Sequence, residues 1–240
     1  MKSIAFFGLF LAAVLAEAIM PALGQQEGRS FPTNKPASEL NVLTDQEKAD
    51  GWQLLFNGKD IEGWEFDRDG IWEVEDGVII SSNGTTHLFT KKKYKNFILS
   101  WDVCAYDVAV PKKRFGNSGV FVRGVKADSA FPKGYEVQVD PYDVKNPTGG
   151  IYGRAPGNLL VEDGKWKPEA FFEVHEGKWI NQKVSCEDNH FKIWINGKLT
   201  LDWEDEQKAF PDAGYIALQN HHVTDVVLFT NIKIKVLDKE

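Results

Sequence analysis

The chain has few of the side chains from which thiol, metal and redox sites are usually built. Its 240 residues include two cysteines and five histidines, and it contains no CxxC, HxH or HExxH motif. A thiolate metal site and the common zinc protease site are therefore not indicated. The sequence also lacks a nucleophile elbow, a phosphate-binding loop and a dinucleotide fingerprint, which argues against the serine hydrolase, nucleotidase and dehydrogenase classes that these motifs mark.

Acidic residues outnumber basic ones, with 35 Asp and Glu against 28 Lys and Arg and a formal net charge of −7. An acidic balance argues against binding to nucleic acid or to an anionic membrane surface. Aromatic residues are abundant instead, with eight Trp and sixteen Phe. They suit a large β-sheet core, and they equally suit carbohydrate binding by stacking on sugar rings. Cys104 and Cys186 both fall in strand-like segments, and the sequence leaves open whether they form a disulfide.

The first 24 residues have the pattern of a secretory signal peptide. Lys2 provides the positive start, residues 4–16 are apolar, and Ala22-Leu23-Gly24 offers small residues for cleavage. The apolar run is too short to span a bilayer, which predicts cleavage near Gly24 and a secreted or periplasmic location without membrane insertion. An uncleaved N-terminal anchor is the alternative. Residues 25–44 are polar and aperiodic, and they are predicted to form a linker.

Residues 45–240 are predicted to form one all-β domain. Thr44 and Glu47 match a capping box that would start a short helix. Ten or more short apolar or alternating segments follow, separated by turn-forming pairs. Asn196-Gly197, for example, predicts a type I′ hairpin turn between Ile195 and Lys198. This spacing of strands favours a two-sheet antiparallel jelly-roll sandwich.

Several of these strands carry polar side chains on one face only. In GYEVQVD (134–140), for example, alternation places Tyr135, Val137 and Val139 on the other face. If the strands are neighbours, their polar faces form a carbohydrate site with Phe121 or Tyr152 as stacking partners, although a merely solvated face would show a similar pattern. The candidate residues are Glu136, Gln138, Asp140, Asn117, Phe121, Arg123, Tyr152, Gln219 and His221.

Glu136 and Asp140 are poorly spaced for glycosidase chemistry with each other. Four residues of strand separate them by roughly 13 Å, which exceeds the usual distance between paired glycosidase carboxylates. Each could instead act with a residue from another strand, and His221 is the natural partner. Glu136, Asp140 and His221 could also bind a divalent metal ion, and the sequence leaves the presence of a metal open.

A series of segments in fixed order resembles a known family. They are LFNGKDIEGW (55–64), WEVEDGVI (72–79), LFTKKKYKNFIL (88–99), NSGVFVRG (117–124), GYEVQVD (134–140), TGGIYG (148–153), WINGK (194–198), IALQNH (216–221) and FTNIKIKVL (229–237). Together they resemble the 3-keto-disaccharide hydrolase domain, also described as a 3-keto-glucoside 1,2-lyase/3-keto-2-hydroxy-glucal hydratase domain. The resemblance covers about residues 50–238 and fits His221 better than His222, because the sequence after His221 departs from the family pattern.

The resemblance implies a concanavalin A-like lectin/glucanase fold, an exported bacterial protein and a substrate oxidised at C3 of a glucose-type ring. The implied reaction removes the C2 proton and eliminates the group at C1, with hydration of the enone giving net hydrolysis. Glu136 or Asp140 would be the base and His221 the acid or a metal ligand. Arg123 and Gln219 would hold the keto sugar or its enolate oxygen. The alternatives are a lectin-like carbohydrate-binding module without turnover and, less favoured, a structural surface protein.

Overall fold

A computed structural model describes residues 37–66, 71–107, 116–127, 131–140, 143, 145–155, 157, 161–162, 165–166 and 179–237. The predicted signal peptide and most of the predicted linker lie outside these residues. The described elements are a 3₁₀ turn (Ala37–Glu39), α1 (Asp45–Ala49) and strands β1 (Trp52–Leu54), β2 (Trp64–Phe66), β3 (Ile71–Glu75), β4 (Val78–Ser82), β5 (Thr86–Thr90), β6 (Phe97–Asp107), β7 (Ser118–Val125), β8 (Lys133–Val139), β9 (Val161–Glu162), β10 (Lys165–Trp166), β11 (Ile180–Glu187), β12 (His190–Ile195), β13 (Lys198–Glu204), β14 (Tyr215–Asn220) and β15 (Asp225–Val236).

The short helix α1 starts at the predicted capping box. The Thr44 hydroxyl accepts a hydrogen bond from the Glu47 amide, and the Glu47 carboxylate accepts one from the Thr44 amide. Just before it, Leu40 and Asn41 are buried. Asn41 donates to the carbonyl oxygen of Gly77 at 2.8 Å. The last residues of the predicted linker therefore pack against the sandwich, because their side chains have partners there.

Two antiparallel sheets form the sandwich. The larger sheet has the order β13-β12-β11-β6-β15-β4-β3, with β1 along the second half of β15, and the smaller has the order β2-β5-β14-β7-β8. β9 and β10 pair only with each other. The all-β jelly-roll prediction is confirmed. Alternate residues of both sheets point inward and bury the core, as the period of two requires, and its members include Leu88, Val120, Val137 and Leu218 facing Leu99, Trp101, Ile193 and Phe229.

Two local predictions are resolved by the backbone and the cysteines. Asn196 and Gly197 have φ values of 48° and 80°, the two left-handed positions of a type I′ turn, between paired Ile195 and Lys198. Cys104 and Cys186 are both free and buried. Burial raises the pKa of each thiol to about 12, so both remain protonated and unreactive at neutral pH. In the described part of the chain, no helix has the length and hydrophobicity to cross a membrane.

Candidate active site

The outer face of the five-stranded sheet carries a cavity of about 550 Å³. Small-molecule sites in proteins commonly have volumes of this order. Residues from strands β7, β8 and β14 form its floor, and the segments that flank these strands form its walls. The lining residues are Asn117, Phe121, Phe131, Pro132, Lys133, Gly134, Glu136, Gln138, Asp143, Tyr152, Phe210, Gln219 and His221.

The strand register explains why the polar side chains converge. Residues directly opposite each other on antiparallel strands point to the same face of the sheet. Glu136 lies opposite Phe121, and Gln138 lies opposite Gly119. On the other side of β7, Ala217 lies opposite Phe121, which brings Gln219 of β14 beside Gly119. Three of the predicted polar residues, Glu136, Gln138 and Gln219, therefore share one short stretch of the outer face.

The carboxyl group of Glu136 has a strongly shifted pKa. Burial raises the pKa of its carboxyl group to about 8, although a hydrogen bond from the Gln219 side chain opposes the shift. A carboxyl group in this range can hold or release a proton close to neutral pH. That is the property required of a general acid or base.

Three buried amide oxygens at the cavity lack a hydrogen-bond partner among the described residues. They are Oδ1 of Asn117, Oε1 of Gln138 and Oε1 of Gln219. A buried acceptor without a partner is costly, so such groups are usually satisfied by water or by a ligand. The hydroxyl groups of a sugar would satisfy all three. The fold brings these three amides, each a candidate from the sequence, together at one cavity.

An aromatic wall borders the polar floor. The ring of Phe131 stacks on His221 with 5.5 Å between centroids. His87 of β5 contacts both Phe131 and Phe121 edge-on, at 5.9 and 5.7 Å. His87 also lies directly opposite Gln219 in the sheet. Sequence reasoning missed His87 and Phe131, because only the pairing of β5 with β14 brings His87 to the site and Phe131 lies outside any strand.

Asp143 is a second carboxylate at the cavity that the sequence analysis did not select. Burial raises its pKa, but hydrogen bonds from the Asn146 side chain and from the backbone amides of Lys145 and Asn146 outweigh that effect and leave the pKa below its ordinary value. Asp143 is therefore ionised at neutral pH. The signal was present in the sequence as an Asx turn in DVKN (143–146), which normally indicates only local structure.

Arg123 does not reach the cavity, contrary to the strand alternation used for the sequence prediction. A bulge shifts the register after Val122, and Arg123 itself has a φ of 51°. The break in alternation turns the side chain away from the outer face. Its guanidinium donates to the carbonyl oxygens of Lys95 and Phe210 and to the Asn96 side chain.

The remaining candidates divide between the cavity and its surroundings. Tyr152 is half exposed at the rim, and His221 lines the wall while His222 is exposed and contacts Thr224. Asp140 is buried at the end of β8, where its carboxylate accepts a hydrogen bond from the Asp143 amide. It is not among the residues that line the cavity. Asp140 therefore helps to shape the turn that presents Asp143.

The carboxylate and imidazole groups do not form a metal site in the described residues. No three histidine, cysteine, aspartate or glutamate side chains among them are grouped closely enough to hold an ion. The candidate metal ligands Glu136, Asp140 and His221 are therefore not grouped as the ligands of one ion.

Comparison with known proteins places this site in context. Residues 51–235 match the family model of the 3-keto-alpha-glucoside-1,2-lyase-like domain. The chain is 26% identical to the 3-keto-disaccharide hydrolase of Bacteroides thetaiotaomicron, over 87% of this chain and 86% of the relative. A crystal structure from Parabacteroides distasonis, provisionally described as a glycosyl hydrolase, is 28% identical with a TM-score of 0.61, covering 83% of this chain and all of that one.

A further crystal structure from Parabacteroides distasonis, with the same provisional description, is 25% identical with a TM-score of 0.53. It covers 78% of this chain and 84% of its own. The family model spans all three strands that form the cavity floor, so the match includes the site as well as the fold. The chain belongs to the 3-keto-alpha-glucoside-1,2-lyase-like domain family.

Proposed function

We propose that this protein cleaves 3-keto-glycosides by removing the C2 proton, eliminating the C1 substituent and then hydrating the enone. The observation that carries the proposal is Glu136, a half-buried carboxyl group with a pKa of about 8 on the floor of a cavity lined by amides. A ketone at C3 acidifies the hydrogen on C2. A carboxylate of raised pKa is a stronger base than an ordinary one, which suits the removal of such a proton.

The elimination needs one base, one acid and a group that stabilises the enolate oxygen. Ionised Glu136 takes the C2 proton, and the electron pair moves to form the enolate at the C3 oxygen. The side-chain amides of Gln138 and Asn117 line the cavity, and their N–H groups would serve as hydrogen-bond donors to that oxygen. The enolate then re-forms the ketone, the C1–O bond breaks, and the leaving oxygen takes a proton from His221.

Hydration completes the reaction. Water adds to C1 of the enone and gives one of its protons to His221, while the proton held by Glu136 returns to C2. The sum of the two stages is hydrolysis of the glycosidic bond, and both residues recover their starting protonation states. Asp143 keeps its charge throughout, because its hydrogen bonds hold its pKa below the ordinary value. It would orient a sugar hydroxyl as a hydrogen-bond acceptor. Phe131, stacked on His221, would restrict the position of the imidazole.

The decisive experiment compares a 3-keto-glucoside with its unoxidised parent. The purified protein is mixed with each compound, with and without a chelator, and enone absorbance and free aglycone are followed. The proposal expects release from the keto sugar alone. Release from the parent sugar would indicate ordinary glycosidase chemistry, and saturable binding without release would indicate a lectin-like module that uses the three amide oxygens only for binding. Loss of release with chelator would show that a metal ion takes part in the reaction.

We also propose that the protein acts outside the cytoplasm. The proposal rests on the N-terminal pattern at residues 1–24 and is tested by N-terminal sequencing of the mature protein. A new N-terminus close to residue 25 is expected, whereas an intact Met1 in the exported or cell-associated fraction would contradict cleavage.

A further inference from the structure

Gly119 occupies the centre of the cavity floor. It lies in β7 opposite Gln138, with Gln219 on the neighbouring strand β14. Unlike many glycines of this chain, it does not have a left-handed φ, so its backbone conformation is open to any residue. A conformational requirement therefore does not explain the glycine at this position.

The space above Gly119 is filled by Glu136. A Cβ atom at position 119 would lie 2.4 Å from Oε1, 2.7 Å from Cγ and 3.0 Å from Cδ of Glu136. All three distances are shorter than normal van der Waals contact. The side chain of Glu136 thus crosses over the glycine from the adjacent strand, and its carboxyl group reaches Gln219, which donates a hydrogen bond to it.

An alanine at position 119 would displace the side chain of Glu136. The clashing atoms belong to a flexible side chain that borders an open cavity, while the surrounding strands are held by backbone hydrogen bonds. The carboxyl group would therefore move outward, away from Gln219 and toward solvent. Both the direction in which it faces the cavity and its burial would change.

We propose that Gly119 is a positioning residue whose missing side chain creates the slot in which the Glu136 carboxyl group lies against Gln219. The inference rests on the proposed function for its catalytic consequence, but its geometric part does not depend on activity. Gly84 provides the matched control, because it also has no left-handed φ and a Cβ there would meet no atom within 4 Å.

The kinetic test compares Gly119→Ala with Gly84→Ala on a 3-keto-glucoside. Misplacing a catalytic group slows the chemical step strongly. In Gly119→Ala, kcat should therefore fall roughly tenfold to a hundredfold, with KM nearly unchanged. The pH midpoint of kcat/KM should also move toward more acidic values. Wild-type kinetics and an unmoved midpoint in Gly119→Ala would overturn the inference while leaving the proposed function intact.

A second test does not need turnover. Carbon-13 NMR of labelled glutamate carboxyl groups, with the Glu136 signal identified by its absence in Glu136→Gln, measures the titration midpoint directly. The midpoint should be lower in Gly119→Ala than in wild type and unchanged in Gly84→Ala. If wild type shows no turnover but this shift occurs, the proposed function fails and the slot stands. An unchanged midpoint would overturn the slot.

A thermal double-mutant cycle covers the case in which Gly119→Ala folds poorly. Glu136→Ala removes the clashing atoms, so Gly119→Ala should lower Tm less in the Glu136→Ala background than in wild type. Equal decreases in both backgrounds would show that the glycine serves some other contact and would overturn the inference.

Discussion

Buried polar side chains at the two ends of β7, on this strand and its neighbours, differ in whether their hydrogen-bonding groups have partners within the protein. At the cavity end, Gln138 and Gln219 are 1% exposed, and each has an amide oxygen without a partner among the described residues. At the other end, Arg123 is equally buried, but its donors go to backbone carbonyls and to the Asn96 side chain. The ring of Phe191 lies 5.4 Å from the guanidinium carbon. One end leaves hydrogen-bonding capacity for a ligand, and the other uses it within the fold.

This difference shows that burial alone does not identify a functional residue. A polar group that is buried and satisfied contributes to stability, because removing it leaves its former partners without hydrogen bonds. A polar group that is buried at a cavity without a partner destabilises the fold, and a ligand that supplies the missing hydrogen bond removes this destabilisation. Substitutions at the cavity end should therefore change activity, and substitutions at the Arg123 end should change stability.

Glu136→Gln should give the largest effect. The amide keeps the shape of the side chain but cannot accept the C2 proton, so kcat on a 3-keto-glucoside should fall by about a hundredfold or more. The free energy of unfolding near neutral pH should not decrease, because a buried ionisable group is replaced by a neutral one. Steady-state kinetics and denaturant unfolding measure the two quantities.

Glu65→Gln is the matched control for Glu136→Gln. Glu65 forms an exposed ion pair with Lys126 at 2.7 Å, a contact of small energetic value. The activity and the stability of Glu65→Gln should both resemble those of the wild type. Retention of most activity by Glu136→Gln would exclude Glu136 as the base. It would also contradict the expectation that substitutions at the cavity end change activity.

Arg123→Met should give the next largest effect, and it should fall on stability. Its backbone acceptors at Lys95 and Phe210 would lose their hydrogen bonds inside the protein, at a cost of about 2–4 kcal/mol in the free energy of unfolding. At a temperature where the variant is folded, kcat should be close to the wild-type value. Urea unfolding and steady-state kinetics test this pair of expectations.

Arg154→Met provides the comparison for Arg123. Arg154 is exposed, and its guanidinium lies over the rings of Tyr135 and Phe210 at about 5.5 Å. Such exposed cation–π contacts contribute about 0.5–1 kcal/mol. A large loss of kcat in Arg123→Met with normal stability would contradict its assignment to the fold.

The sequence predicted the fold well because the fold depends on local signals. Alternation, turn pairs such as Asn196-Gly197 and the capping box at Thr44 each specify a conformation within a few residues. The burial of Leu40 and Asn41 at the end of the predicted linker could not be inferred from the sequence, because it depends on strands far away in the chain. Asn41, for instance, bonds to Asn231 across 190 positions.

Local sequence patterns also placed some of the candidate residues. Alternation correctly placed Glu136 and Gln138 on one face, and it failed at Arg123, where a bulge with a left-handed residue interrupts the period of two. His87 could not be found from its own strand, since only the register with β14 brings it opposite Gln219. Local patterns specify faces, whereas bulges and strand order decide which faces meet.

The most gradual predicted effect is a pH dependence of stability that should distinguish the two cavity carboxylates. Folding raises the pKa of Glu136 from 4.5 to about 8. Between these values the folded protein holds a proton that the unfolded chain has released, so the free energy of unfolding should fall as pH rises. Between the two pKa values the slope approaches roughly 1.4 kcal/mol per pH unit, the value for one proton, and the partial exposure of Glu136 reduces the pKa difference and so narrows this pH window.

The difference between wild type and Glu136→Gln isolates this contribution, since the other titrating groups are common to both proteins. The stability of Glu136→Gln relative to wild type should increase from pH 5 to pH 8. Asp143 acts in the opposite direction, because its lowered pKa stabilises the fold above its unfolded pKa and that stability is lost as pH falls. Its effect falls below the window of Glu136. A constant difference in Tm between the two proteins across pH 5 to 8 would mean that Glu136 is ionised in the folded state, and the cavity end would then contain two charged carboxylates.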